Sequence, residues 1–180
     1  MTTDEAMVRL KKGNDKYLLS LKNDSDISPA LREDTSVNGQ HPYAVVVTCS
    51  DSLVVPEDIF MTGLGELYVV RVAGNVVAES QLASIEYAVE TLHCPLVLVL
   101  GHTKCDLINA AISGTAEGRI KVLTDGILKA IGSEKNDYKA ACLNVEQSVN
   151  VISSNLHVDN EEFLVQGAVY DVEDGHVDWL

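Results

Sequence analysis

Three runs of aliphatic and β-branched residues set the frame of this chain, at 44–48 (AVVVT), 67–72 (LYVVRV) and 96–100 (LVLVL). None alternates with polar residues, so each predicts a strand buried on both faces, as in the middle of a parallel sheet. Helical stretches are predicted between them at 56–61 and 80–92, the second offering Leu82, Ile85, Tyr87, Val89 and Leu92 as one buried stripe. Upstream, Met7, Val8, Leu10, Tyr17 and Leu18 give a helical period across 5–21, broken at Gly13, and the polar stretch 22–40 predicts a loop. Downstream, helices are predicted at 107–112, 120–131 and 138–156, followed by a closing strand at 162–172 and a short hairpin partner at 177–180. The β-α-β-α-β order predicts an α/β, Rossmann-like, doubly wound architecture.

No repeat, low-complexity tract or Pro-rich linker interrupts the 180 residues, so one domain is expected over 1–180, with a helical arm and loop at 1–38 leading into a core at 39–180. Charge narrows the partners. Thirteen Lys and Arg against 27 Asp and Glu give a net charge of −14, which repels phosphate backbones and anionic lipid, so neither nucleic acid nor membrane is expected. No apolar run approaches the roughly 20 residues of a bilayer span, and the first residues lack a secretory signal's apolar stretch; a cytoplasmic protein is expected. In that reducing compartment Cys49, Cys94, Cys105 and Cys142 read as metal ligands or buried residues and not as disulfides.

In an open α/β sheet, chemistry gathers at the carboxyl ends of the strands. The first predicted strand runs into Cys49-Ser50-Asp51-Ser52, and the third into His102-Thr103-Lys104-Cys105. Two sulfurs and an imidazole nitrogen form a tetrahedral Zn²⁺ set with the fourth position open to water. Asp51 stands beside that position, as a fourth ligand or as a base. Cys94 and Cys142 read as structural, and His41, His93, His157 and His176 as solvated or hydrogen-bonded, because no other ligand candidate accompanies them at a parallel strand end. Gly63-Leu64-Gly65 begins like a dinucleotide fingerprint, but Tyr68 holds the third glycine position and the segment precedes a strand. No nucleophile elbow or Walker loop is present.

The same chain carries Gly39-Gln40-His41-Pro42, Pro56-Glu57, Gly65-Glu66-Leu67-Tyr68-Val69-Val70-Arg71, Ala73-Gly74-Asn75, Ser84-Ile85-Glu86-Tyr87-Ala88-Val89 and Gly167-Ala168-Val169-Tyr170-Asp171-Val172. With the Cys49 and His102 motifs, this series resembles the beta-class carbonic anhydrases over nearly the whole chain from Glu5. The resemblance implies Zn²⁺ on Cys49, His102 and Cys105, and water at the open position attacking CO₂ to give bicarbonate. It implies Asp51 as the catalytic acceptor, Gln40 near the bound substrate and Tyr68 as an aromatic wall. It further implies about four parallel strands with an antiparallel edge strand, an N-terminal helix packed on a second subunit, and a homodimer or dimer of dimers.

Three positions depart from the family pattern. Leu53 stands where the family has an arginine that grips the aspartate, which leaves Asp51 free to close the zinc site unless another cation, Lys104 being nearest in the motif, takes over. Asp106 replaces a glycine and brings a carboxylate toward the pocket; about 5 Å from bicarbonate at an effective dielectric of about 20, its repulsion would be about 3 kcal/mol. The bland reading turns Asp106 outward at a helix N-terminus. Leu107 replaces a small residue and narrows the pocket. Three readings follow: a carbonic anhydrase of reduced or pH-restricted activity, an inactive zinc protein with Asp51 as fourth ligand, or a hydrolase of a CO₂-like small sulfur compound favoured by the apolar Leu53.

Overall fold

The computed structural model describes residues 1–19, 22–156 and 163–180. Five strands form one sheet in the order β2-β1-β3-β4-β5: β1 (Ala44–Thr48), β2 (Leu67–Arg71), β3 (Leu96–His102), β4 (Leu164–Tyr170) and β5 (Val177–Trp179). The first four are parallel, and β5 returns antiparallel against β4. The three apolar runs are therefore strands, but only β1 and β3 are buried throughout as expected; β2 is an edge strand in which Leu67 alone is buried and Arg71 is exposed. Along β1, Val45 and Val47 face one apolar cluster and Ala44 and Val46 the other; Val97 and Val99 alternate with Leu96, Leu98 and Leu100 in the same way on β3. A strand covered on both faces has no solvent side to mark with polar residues.

One face is covered by α1 (Thr3–Leu18) and the short α3 (Pro56–Ile59), and the other by α4 (Glu79–Glu86), α5 (Asp106–Ser113), α6 (Lys121–Ile131) and α7 (Asp137–Asn155). The helix expected at 80–92 divides, because α4 widens into a π turn at Tyr87–Thr91. Helix α1 packs on its own chain, burying Ala6, Leu10, Gly13 and Asn14. Asn14 fastens it: Nδ2 donates to the Gly175 carbonyl at 2.9 Å, and Oδ1 accepts from Val177 N at 3.1 Å.

The loop expected over 22–40 is corrected by α2 (Pro29–Asn38). Ser28 Oγ accepts from Leu31 N at 3.2 Å and proline occupies the first turn, local start signals that suffice without an apolar period. No residue of α2 is buried, so its burial leaves no periodic trace in the sequence. The expected ends at 21 and 156–162 and the call on His157 lie at or beyond the edges of the described residues. Among the described residues no helix is long and apolar enough to cross a membrane.

Helix α7 approaches the sheet closely at two glycines. A Cβ on Gly101 of β3 would lie 2.5 Å from Val145 Cγ2, and one on Gly167 of β4 would lie 2.8 Å from Val145 Cγ1. One valine side chain thus fills the space that two absent side chains leave.

Candidate metal centre

The chain goes from β1 outward to β2 and then crosses to β3 on β1's other side, so β1 and β3 are neighbours at a switch of direction. A crevice opens at such a point beyond the strands' carboxyl ends. Thr48 closes β1 against β3, its Oγ1 donating to the Leu100 carbonyl at 2.8 Å. The next residue is Cys49. Across the crevice, β3 ends in His102, and Cys105 is the N-cap residue of α5.

The ligand atoms of Cys49, His102 and Cys105 all lie within 4.8 Å of one another, and all three residues are buried. His102 Nδ1 sits 2.9 Å from the Thr103 carbonyl, which only accepts, so Nδ1 carries the proton and Nε2 keeps a free lone pair. Nε2 is buried without a hydrogen-bond partner among the described residues. A buried orphan acceptor beside two thiols is what a tetrahedral cation would satisfy, and two sulfurs with one nitrogen suit zinc.

The two sulfurs differ sharply. The neighbouring Cys105 thiol pulls the Cys49 pKa down to about 4, against burial and helped by His102 and by the N–H groups of Gly74 and Asp51. Those donors lie 3.3 Å (Gly74) and 3.4 Å (Asp51) from Cys49 Sγ. The hydrogen bond to Cys49, then burial and the charge on Cys49, push the Cys105 thiol up. Burial works against charge on His102, but the Cys49 sulfur outweighs it and raises that pKa above 6.5.

The loop after Cys49 is clamped from β2. Arg71 Nε donates to the Cys49 carbonyl at 3.1 Å, and Nη2 donates to the carbonyls of Asp51 at 2.7 Å and Val54 at 2.9 Å. Asp51 Oδ1 accepts from Leu53 N at 2.9 Å, and no ion pair to Asp51 is found among the described residues. Its carboxylate stays outside the three-donor cluster. Leu53 is 63% exposed. Lys104 does not replace the missing arginine: its Nζ pairs with Glu173 and its N–H donates to Asp137 Oδ2 at 2.7 Å.

Asp106 is exposed in the first turn of α5, where a carboxylate complements the helix dipole, so the bland reading describes its place. Leu107 is buried, with Cδ2 2.8 Å from where a Gly74 Cβ would stand. Gln40 and Tyr68 are not brought to the donors. Gln40 precedes β1, at the end opposite Cys49, and borders a cavity of about 850 Å³ lined also by Arg32, Thr35 and Leu67. Tyr68 pairs with Val45 near the start of β1 and rests on Tyr87, ring centroids 6.4 Å apart. Cys94 is buried, which lifts its thiol to about 11, and half-buried Cys142 is raised by the same cause. His41 and His93 are exposed, and His176 Nε2 lies 3.4 Å from Asp178 Oδ1.

The clamp by Arg71 and the N–H of Gly74 were not identified from sequence; their only trace there is in the motifs Gly65 to Arg71 and Ala73-Gly74-Asn75. The carbonic anhydrase family model matches residues 44–177, which contain the four parallel strands and every candidate metal donor. The chain belongs to the beta-class carbonic anhydrases. Carbonic anhydrase 2 of Mycobacterium tuberculosis is 41% identical over 111 residues, covering 62% of this chain and 53% of that protein. The carbonic anhydrase of Pseudomonas aeruginosa is 31% identical over 163 residues, covering 78% of this chain and 74% of that protein. The chain thus spans about half the length of the first of these curated relatives. Among solved beta-carbonic anhydrases, CafA of Aspergillus fumigatus superposes with a TM-score of 0.75 at 25% identity, covering 98% of this chain and 89% of that one. A tetrameric beta-carbonic anhydrase of Sordaria macrospora shares the fold, with a TM-score of 0.73 at 22% identity, covering 84% of this chain and 87% of that one.

Proposed function

We propose that this beta-class carbonic anhydrase is a zinc enzyme that hydrates CO₂ reversibly to bicarbonate. The observation that carries the reading is the convergence of Cys49, His102 and Cys105, with the imidazole Nε2 buried and unpartnered. Bound zinc supplies the nucleophile by lowering the pKa of a coordinated water. The chain's own residues do the rest. Asp51 takes up the proton, its carboxylate steadied by the Leu53 N–H and its backbone by Arg71. Leu53 leaves that carboxylate without the family's guanidinium, and turnover is slower for it.

Gln40 and Tyr68 stand at the other end of the strands, so they serve the site of a second copy of the chain, in a homodimer or dimer of dimers. The Sordaria macrospora relatives are described as tetrameric. Four cysteines, none of them in a disulfide, suit a reducing compartment, which supports a cytoplasmic enzyme.

Stopped-flow CO₂ hydration on zinc-quantified protein, from about pH 6.5 to 9, tests the reading with Leu53→Arg alongside. Measurable, saturable hydration by the unchanged protein is expected, rising several-fold in Leu53→Arg. Activity only in Leu53→Arg would instead indicate that Asp51 closes the zinc site. Full zinc with no hydration in either protein would overturn the reading.

A further inference from the structure

The donors of this centre are held from outside by a layer that reaches as far as α7. Gly74 and Asn75 form a turn between β2 and α4, with φ of 70° and 44° respectively. Asparagine enters positive φ more readily than most residues that carry a side chain, but two successive residues held there in a buried turn persist only where their surroundings fix them. Asn75 is 1% exposed. On one side, Leu107 Cδ2 and Ile127 Cδ1 both stand 2.8 Å from where a Gly74 Cβ would be, so only glycine fits.

On the other side stands α7, whose buried stripe of Ala140, Ala141, Val145 and Ile152 is interrupted by two polar residues one turn apart. Asn144 Nδ2 donates to the Gly74 carbonyl at 2.8 Å, and Ser148 Oγ donates to the Asn75 carbonyl at 3.0 Å. Each is 3% exposed, and these bonds are what satisfy them. The turn they hold aims the Gly74 N–H at Cys49 Sγ, 3.3 Å away.

We propose that Asn144 and Ser148 are positioning residues of the metal centre: they fix the Gly74–Asn75 turn so that its N–H stays on the Cys49 sulfur, orienting that ligand and drawing electron density from it. Neither residue touches a metal donor. The proposal rests on Cys49, His102 and Cys105 being the ligands. Second-layer hydrogen bonds of this kind tune both the hold on a metal and the electronic character of its ligands.

Cobalt(II) titrated into the metal-free chain, followed by its sulfur-to-cobalt charge-transfer bands, separates the two claims. The unchanged chain is expected to bind one equivalent with those bands. Their absence would overturn the ligand assignment itself and the proposal with it. Given the bands, Asn144→Ala is expected to move them to lower energy and to weaken the Kd about tenfold, with a smaller change of the same sign in Ser148→Ala and recovery in Ser148→Thr. Ile152→Val, one turn farther along α7, is expected to lower thermal stability while leaving bands and Kd unchanged. Unmoved bands and Kd in both Asn144→Ala and Ser148→Ala would overturn the proposal, as would an equal shift in Ile152→Val. Should Asn144→Ala fail to fold, the contrast of Ser148→Ala with Ser148→Thr decides alone.

Discussion

At the carboxyl ends of β1 and β3, three buried donors meet within one chain, whereas at the amino end of β1, Gln40 borders an open cavity of about 850 Å³ and reaches none of them. The first end is held by its own backbone: Arg71 on three carbonyls, Thr48 on β3, and Gly74 on a sulfur. The second is framed by α2, which buries no residue of its own. A crevice at a switch in strand order is made by topology alone, so one chain completes it. A wall that the chain places a strand-length away from its chemistry would need a second chain to bring it into use, as in the proposed dimer.

The largest effect that would break this contrast is loss of the metal. Cys105→Ser is expected to weaken zinc binding by more than about 100-fold, beyond the range of outer-layer changes, while Gln40→Ala keeps one zinc per chain. Metal analysis after dialysis against a chelator checks both. Equal zinc loss in the two variants would make the ends one site within one chain.

Mixing comes next in size. Chains carrying Gln40→Ala and chains carrying Cys105→Ser are each expected to be nearly inactive, yet an equal mixture refolded together should recover about a quarter of the unchanged activity, because half the dimers contain one intact shared site. No recovery would place Gln40 and the metal of one active site on the same chain.

A smaller effect concerns α1, whose Arg9 pairs with Glu66 and lies 4.4 Å over the Tyr43 ring, near the amino end. A Cβ on Gly13 would stand 2.0 Å from the Phe60 carbonyl oxygen. Gly13→Ala is expected to cost about 2 kcal/mol in urea denaturation by overpacking, with zinc content unchanged. A loss of zinc at equal folded fraction would tie α1 to the metal end.

The smallest effect is a titration. Asp26 Oδ1 accepts from Ser28 N at 2.8 Å just before α2, and that backbone bond lowers the Asp26 pKa below 3.8. A depressed carboxyl holds its partner fully above its unfolded value and loses it as pH falls through the lower folded one, so this start of α2 loosens only below pH 3.8. An NMR titration of Asp26 with a midpoint at or above 3.8 would contradict it.

The sequence read well where one residue's neighbours along the chain are also its neighbours in function. Cys49 ends one apolar run and His102 and Cys105 follow another, so adjacency of β1 and β3 was enough to join them. Helix α2 escaped because its evidence is in its first turn, Ser28 and Pro29, and not in any apolar period. Lys104 was a candidate partner for Asp51 by proximity in sequence, but its φ of 56° turns the chain and its side chain meets Glu173, which is remote in sequence. Asn144 and Ser148 are, in the sequence, only two polar positions within the helix predicted at 138–156. Their meaning depends on two carbonyls some seventy residues away, and no local pattern carries that.

Val145, seated between Gly101 and Gly167, lies beside Asn144 on the same helix. A helix indexed by one side chain in a two-glycine notch has no second register to slide into. Axial slip or rotation of α7 would drive that valine into the backbone of β3 or β4. In hydrogen-exchange terms the amides of α7, β3 and β4 are therefore expected to open as one cooperative unit. The outer hold on the metal centre would then be as long-lived as the slowest-opening part of the molecule, and would be released only when that unit opens.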